Sequence, residues 1–84
     1  MYRIEVKKAA QKALLKMPAN QRDLIMRKIN EYACDPDIGR NTIKLSGRDG
    51  YRMRVGDWRV IFEKDDDVLS ILVLEVGPRG GIYQ

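Results

Sequence analysis

The chain has no histidine, one cysteine and three prolines among its 84 residues. The missing imidazole removes the side chain that most often moves protons near neutral pH, and with it most zinc sites. A single cysteine, Cys34, cannot form an internal disulfide, and a reducing, cytoplasmic setting is expected. The thiol itself reads as a semi-buried helix-end residue, not a nucleophile. No apolar run approaches the roughly 20 residues that a membrane helix needs, so no membrane partner is expected. Met1 to Val6 alternates polar and apolar residues and lacks the apolar block of a secretion signal. There is no glycine loop carrying the lysine and hydroxyl residue of a nucleotide site. Asp65-Asp66-Asp67 lacks the spacing of a calcium loop and reads as an exposed turn. No cofactor and no metal are expected.

What is present is a modest excess of positive charge, sixteen Lys and Arg against twelve acids, for a net charge of +4. Summed fields of this sign favour a polyanionic or acidic partner. Mixed charged surfaces are nevertheless ordinary in soluble domains. The distribution says more than the total: Lys7, Lys8, Lys12 and Lys16 lie near the start, and an arginine group lies in the second half. A chain of this length supports one domain, residues 1–84, around one modest core.

Tyr2-Arg3-Ile4-Glu5-Val6 reads as a first strand. From Lys7 the period changes, and Ala10, Ala13, Leu14 and Met17 recur at helical spacing. Lys8, Lys12 and Lys16 form a basic ridge on a neighbouring face. Pro18 ends or redirects this helix. A second helix starts either from a capping arrangement of Asn20 and Asp23 or from Pro18 in its first turn. Leu24, Ile25, Ile29, Tyr32 and Ala33 form its apolar side, and Pro36 and Gly39 close it. So short a link predicts an antiparallel helical hairpin.

Asp35 to Gly50 is polar and broken, although Ile43 and Leu45 alternate with Thr42 and Lys44, as in a short strand or a loop tethered to the core. Three strands are expected at 51–55, 58–64 and 68–76. The last is apolar on both faces over much of its length, so it is covered on both sides or central in the sheet. The expected class is α+β: an N-terminal strand, a helical hairpin, then a curved antiparallel sheet of three further strands. The helices cover one face, and the first strand pairs late with a strand of the second half.

Tyr51-Arg52-Met53-Arg54-Val55-Gly56-Asp57-Trp58-Arg59-Val60-Ile61-Phe62 is the most informative stretch. Glycine at the first central position suits a type II′ hairpin at Gly56-Asp57. Alternation then puts Tyr51, Met53 and Val55 on one face with Trp58, Val60 and Phe62. Trp58 therefore reads as core. Arg52, Arg54 and Arg59 crowd the other face, with Arg54 directly opposite Arg59. Like charges so placed destabilise a sheet. Folding gives no reason for the arrangement, whereas binding an anion does.

These residues resemble the RelE/ParE superfamily of bacterial toxins from toxin–antitoxin pairs. The likeness covers nearly the whole chain: Tyr2 to Val6, Ala10 through Met17-Pro18, Lys44-Leu45-Ser46-Gly47, above all Gly50 to Phe62, and Val76-Gly77-Pro78-Arg79 with Ile82-Tyr83. In the RelE-like branch it implies a small ribonuclease that enters the ribosomal A site and cuts messenger RNA. The family's basic strand pair corresponds to Arg52 and Arg54, the arginine of the next strand to Arg59, the arginine near the C-terminus to Arg79 and the terminal tyrosine to Tyr83. Pro78 departs from the pattern, since many relatives carry histidine or lysine there. The ParE-like branch poisons DNA gyrase with the same fold, so the fold alone does not choose the target.

For a ribonuclease, the implied chemistry is metal-independent attack of the ribose 2′-OH on the adjacent phosphorus. It leaves a 2′,3′-cyclic phosphate, which can open to a 3′-phosphate, and a 5′-hydroxyl; DNA, lacking the 2′-OH, resists it. Arg59, aided by Arg79, is assigned to the scissile phosphate, with Arg54 and Arg52 beside it, because a guanidinium grips phosphate oxygens in a fork. Tyr83 is the candidate for proton handling or base stacking, and Lys44, Lys8 and Lys12 for further RNA contacts. Plainer readings stand beside these: Tyr83 covers the sheet edge, Arg52 pairs with Glu63 or Glu75, Arg79 is a solvated loop residue, and the helix lysines keep the surface soluble. The implied partners are a cognate antitoxin bringing acidic residues to the arginines, messenger RNA and the ribosomal A site (or DNA gyrase), and operator DNA through the toxin–antitoxin complex. A non-enzymatic module binding antitoxin or nucleic acid is a third reading.

Overall fold

A computed structural model of the chain describes residues 1–36 and 41–78. Strand β1 (Arg3–Val6) leads into helices α1 (Lys8–Lys16) and α2 (Ala19–Cys34). Strands β2 (Thr42–Lys44), β3 (Tyr51–Val55), β4 (Trp58–Asp65) and β5 (Ser70–Pro78) follow. All five strands form one sheet in the order β1-β5-β4-β3-β2. The first strand pairs with the last, as expected, but in parallel; the other ladders are antiparallel. The sheet is therefore mixed: the helical hairpin delivers β2 opposite in direction to β1, and three antiparallel reversals then bring β5 round to the direction of β1. Of the two readings for the segment around Ile43, the short strand is the one observed, and β2 forms an edge.

The two helices cover one face of the sheet. Ala10, Leu14 and Met17 of the first helical stripe are buried, as are Ile25, Ile29, Tyr32 and Ala33 of the second, against Met53, Val60, Phe62 and Val73 of the sheet. Phe62 sits at the centre, edge-on to Tyr32 with ring centroids 5.1 Å apart and stacked on Tyr51 at 5.6 Å. Trp58 is half-buried against this core, and its Nε1–H donates to Gln21 Oε1 at 2.8 Å, tying the β3–β4 hairpin to α2.

Pro18 is the N-cap of α2, one residue ahead of the first turn in which the proline reading put it. The Pro18 carbonyl accepts the N–H groups of Gln21 and Arg22 at 3.0 and 3.1 Å, and no side chain caps the helix. Asn20 and Asp23 lie inside the helix and do not cap it. At the other end the Asp35 N–H donates to the carbonyls of Glu31 and Tyr32, and Pro36 stops the helix. Cys34 corrects an expectation. It is exposed, since Tyr32 and Ala33 take the inward positions of the last turn. Gly39, expected to help close the helix, lies outside the described residues.

One glycine is fixed by the packing. Gly50 has φ +114°, and a Cβ there would lie 2.9 Å from the Phe62 carbonyl oxygen. Only glycine both adopts this conformation and permits the approach. The Gly50 carbonyl accepts the Leu45 N–H at 2.9 Å, closing the loop between β2 and β3.

Candidate nucleic-acid interface

The β3–β4 hairpin turns at Gly56, whose φ is +57°, while Asp57 stays at negative φ. That combination is a type II′ turn, and it sets the pairs Val55↔Trp58, Arg54↔Arg59, Met53↔Val60 and Arg52↔Ile61. Side chains of directly paired residues share a face. The apolar partners therefore turn to the helices, and Arg52, Arg54 and Arg59 occupy the outer face. Arg54 is exposed; Arg52 and Arg59 are half-buried.

Register extends these positions into two cross-strand rows. One runs Ile43, Arg52, Ile61, Glu75 and the other Arg54, Arg59, Gly77. Gly77, the β5 partner of Arg59, has no side chain and is itself buried. Arg54 also lines a cleft of about 60 Å³ between β3 and the end of α2, together with Glu31 and Asp35.

Arg48 joins this face from the β2–β3 loop. Its guanidinium lies 3.8 Å from the Glu75 carboxylate. To reach β5 it crosses over β4, and Ile61, directly opposite Glu75, is only 1% exposed. Glu75 thus has Arg48 as an ion-pair partner, where sequence reasoning considered Arg52. Alternation along strands carries no information about which way a loop residue leans, so Arg48 was not legible as a member of the group. Its one sequence signal is its place between Gly47 and Gly50, beside the basic hairpin.

Other candidate residues are placed elsewhere. Lys8 and Lys12 are exposed on α1, in the helical layer on the far side of the sheet. Lys44 lines a groove of about 740 Å³ with Glu5, Asp49, Glu63 and Asp65–Asp67, at the end of the sheet away from Arg59. Arg79 and Tyr83 lie outside the described residues; Pro78, the last described one, ends β5 opposite Trp58.

The molecule is therefore polarised, with arginines at one end of the outer face and carboxylates at the other. At the acidic end Asp65 Oδ1 accepts the N–H groups of Asp67 and Val68 at 2.9 and 3.3 Å, making the expected exposed turn. The Tyr2 hydroxyl donates to Asp66. That hydrogen bond, with the negative charge behind it, raises the Tyr2 pKa above the ordinary phenol range. Lys64 lies beneath, 5.4 Å from the Tyr51 ring centroid and 3.8 Å from Asp66 Oδ1. Among the described residues, no three His, Cys, Asp or Glu side chains are grouped to hold a metal ion. Among the same residues, no helix is long and apolar enough to cross a membrane.

A family model described as the ParE toxin of the type II toxin–antitoxin system parDE matches residues 4–83. A comparison with curated proteins gave no match. Solved structures agree with the family. A chain of the archaeal RelE–RelB complex from Pyrococcus horikoshii OT3 is 35% identical, with a TM-score of 0.76 over 95% of this chain and 97% of that one. A chain of the intact E. coli RelBE toxin–antitoxin complex is 25% identical, with a TM-score of 0.79 over 93% and 96%. A chain of the RelB–RelE complex from Methanococcus jannaschii is 27% identical, with a TM-score of 0.73 over 94% of each. With this fold, this hairpin and a family match running almost end to end, the chain belongs to the RelE/ParE superfamily of toxins from type II toxin–antitoxin systems.

Proposed function

We propose that this toxin is a ribosome-dependent endoribonuclease that cuts messenger RNA by 2′-OH attack and is held inactive by a RelB-like antitoxin. The observation that carries the reading is the direct Arg54–Arg59 pair, with Arg52 on the same face. Guanidinium groups carried on one face at neighbouring positions can supply charge where a pentacoordinate phosphate develops it. The likeness to RelE chains supports the same reading. Arg59 takes the scissile phosphate, Arg54 and Arg52 the flanking charge, and Arg79 and Tyr83 complete the set from the C-terminal segment. Lys44, Lys8 and Lys12 are too dispersed to join one phosphate site; they remain candidates for peripheral contacts with the ribosome.

The family description names ParE, and this favours a second reading, a toxin directed at DNA gyrase. Induction of the protein in cells followed by mapping of RNA 5′ ends separates the two. The ribonuclease reading expects new 5′-hydroxyl ends confined to translated regions and abolished by Arg59→Ala. Intact messages with gyrase trapped on DNA would replace it with the second reading.

A further inference from the structure

We infer that Glu75 is the general base of this cleavage, an assignment that rests on the ribonuclease activity proposed above. The reaction needs a group to take the 2′-OH proton, and the chain has no histidine. Arginine does not serve, because its guanidinium stays protonated. Three features place Glu75 for the task.

The first is a β-bulge. Ile71 and Val73 turn inward, and strict alternation would send residue 75 the same way. Between the pairs Phe62↔Val73 and Ile61↔Glu75, however, β5 carries one extra residue, Leu74. Glu75 therefore turns outward and Val76 inward, where it is 7% exposed. Bulges commonly re-aim a side chain beside a site. The second feature is register. Glu75 lies two residues from Gly77, the partner of Arg59, so it stands diagonally from that arginine on the same face. Diagonal neighbours are about 7–8 Å apart, room for a phosphate between guanidinium and carboxylate. The third is availability: the pair with Arg48 is a single contact at 3.8 Å, and the Glu75 side chain is 42% exposed. Glu63, also on the outer face, is opposite Leu72, further along β4 from Arg59.

In the step, the Glu75 carboxylate takes the 2′-OH proton as the 2′ oxygen bonds to phosphorus. The P–O5′ bond breaks, and the 5′ oxygen leaves with its electron pair and takes a proton from water. Glu75 then returns its proton to solvent. The products are a 2′,3′-cyclic phosphate and a 5′-hydroxyl. Among the described residues, the charged groups on the same face around Glu75 are Arg48 from the loop, Arg52 from β3, Arg59 and Glu63 from β4, and Glu5 from β1, which shares the Leu72 row with Glu63.

Single-turnover cleavage of messenger RNA on programmed ribosomes, followed against pH, tests the assignment. Glu75→Gln is expected to slow cleavage by about 100-fold or more, to leave ribosome binding unchanged and to abolish the acid limb of the rate profile. Glu75→Asp retains that limb, as do Arg48→Ala, which breaks the same ion pair from its other side, and Glu63→Gln. Cleavage by Glu75→Gln at the wild-type rate overturns the assignment and leaves the ribonuclease reading intact. Equal losses in Glu75→Gln and Arg48→Ala, with both acid limbs preserved, also overturn it. An inert wild-type protein overturns both readings.

Discussion

Arg54 and Arg59 stand directly opposite each other on adjacent strands, two like charges at a position where a sheet gains from opposite ones. Nothing local asks for this. The type II′ turn at Gly56 sets the register, and Met53, Val55 and Val60 hold it from the buried face. The core thus forces together two groups that repel in the free protein and that an anion would reconcile.

One consequence is measurable without RNA. Arg54→Gln keeps the side chain's reach and removes its charge. The free protein is expected to gain about 0.5 kcal/mol in denaturant unfolding, while cleavage falls. A loss of similar size would mean that the acids at the end of α2 outweigh the repulsion across the ladder.

The loop that carries Arg48 depends on Gly50. Alanine there meets the Phe62 carbonyl and must hold φ +114°, so Gly50→Ala is expected to cost about 3 kcal/mol. Thermal or denaturant unfolding checks the value. A change below about 0.5 kcal/mol, the range of ordinary surface substitutions, would show that the loop relaxes freely.

The acidic end has its own pH signature. Tyr2 titrates above the ordinary phenol range because it donates to Asp66. A raised folded-state value means that this contribution to stability is fully present below the ordinary tyrosine range and is lost as pH rises through the higher value. Asp66→Ala is expected to bring one phenolate transition down in an ultraviolet titration, and Tyr2→Phe removes that transition altogether. An unmoved transition in Asp66→Ala would contradict the pairing.

Much of this was legible in the sequence where side-chain period and burial agree. The stripe Ala10, Leu14, Met17 and the alternation from Tyr51 to Phe62 fixed both helical and sheet faces, and one turn glycine fixed the arginine pair. What escaped was set by long-range geometry. The parallel direction of β1 against β5 depends on the helical hairpin and the three strand reversals that lie between them. The bulge at Leu74 reverses alternation in a strand whose apolar residues lie on both faces, so it was invisible in composition, although Glu75 was readable as an outer-face partner for an arginine. Arg48 lies in a loop, where no period applies. Lys8, Lys12 and Lys44 share the sign of the arginines but not their location, because charge counted along a chain ignores the layer that carries it.

The central claim is that Arg54 and Arg59 act on one phosphodiester as a unit. A double-mutant cycle in single-turnover cleavage on programmed ribosomes measures this, using Arg54→Ala, Arg59→Ala and the pair. Residues that work as a unit lose their effect together. The expected result is a double variant hardly slower than Arg59→Ala alone; rate losses that simply multiply, as for independent sites, would contradict it.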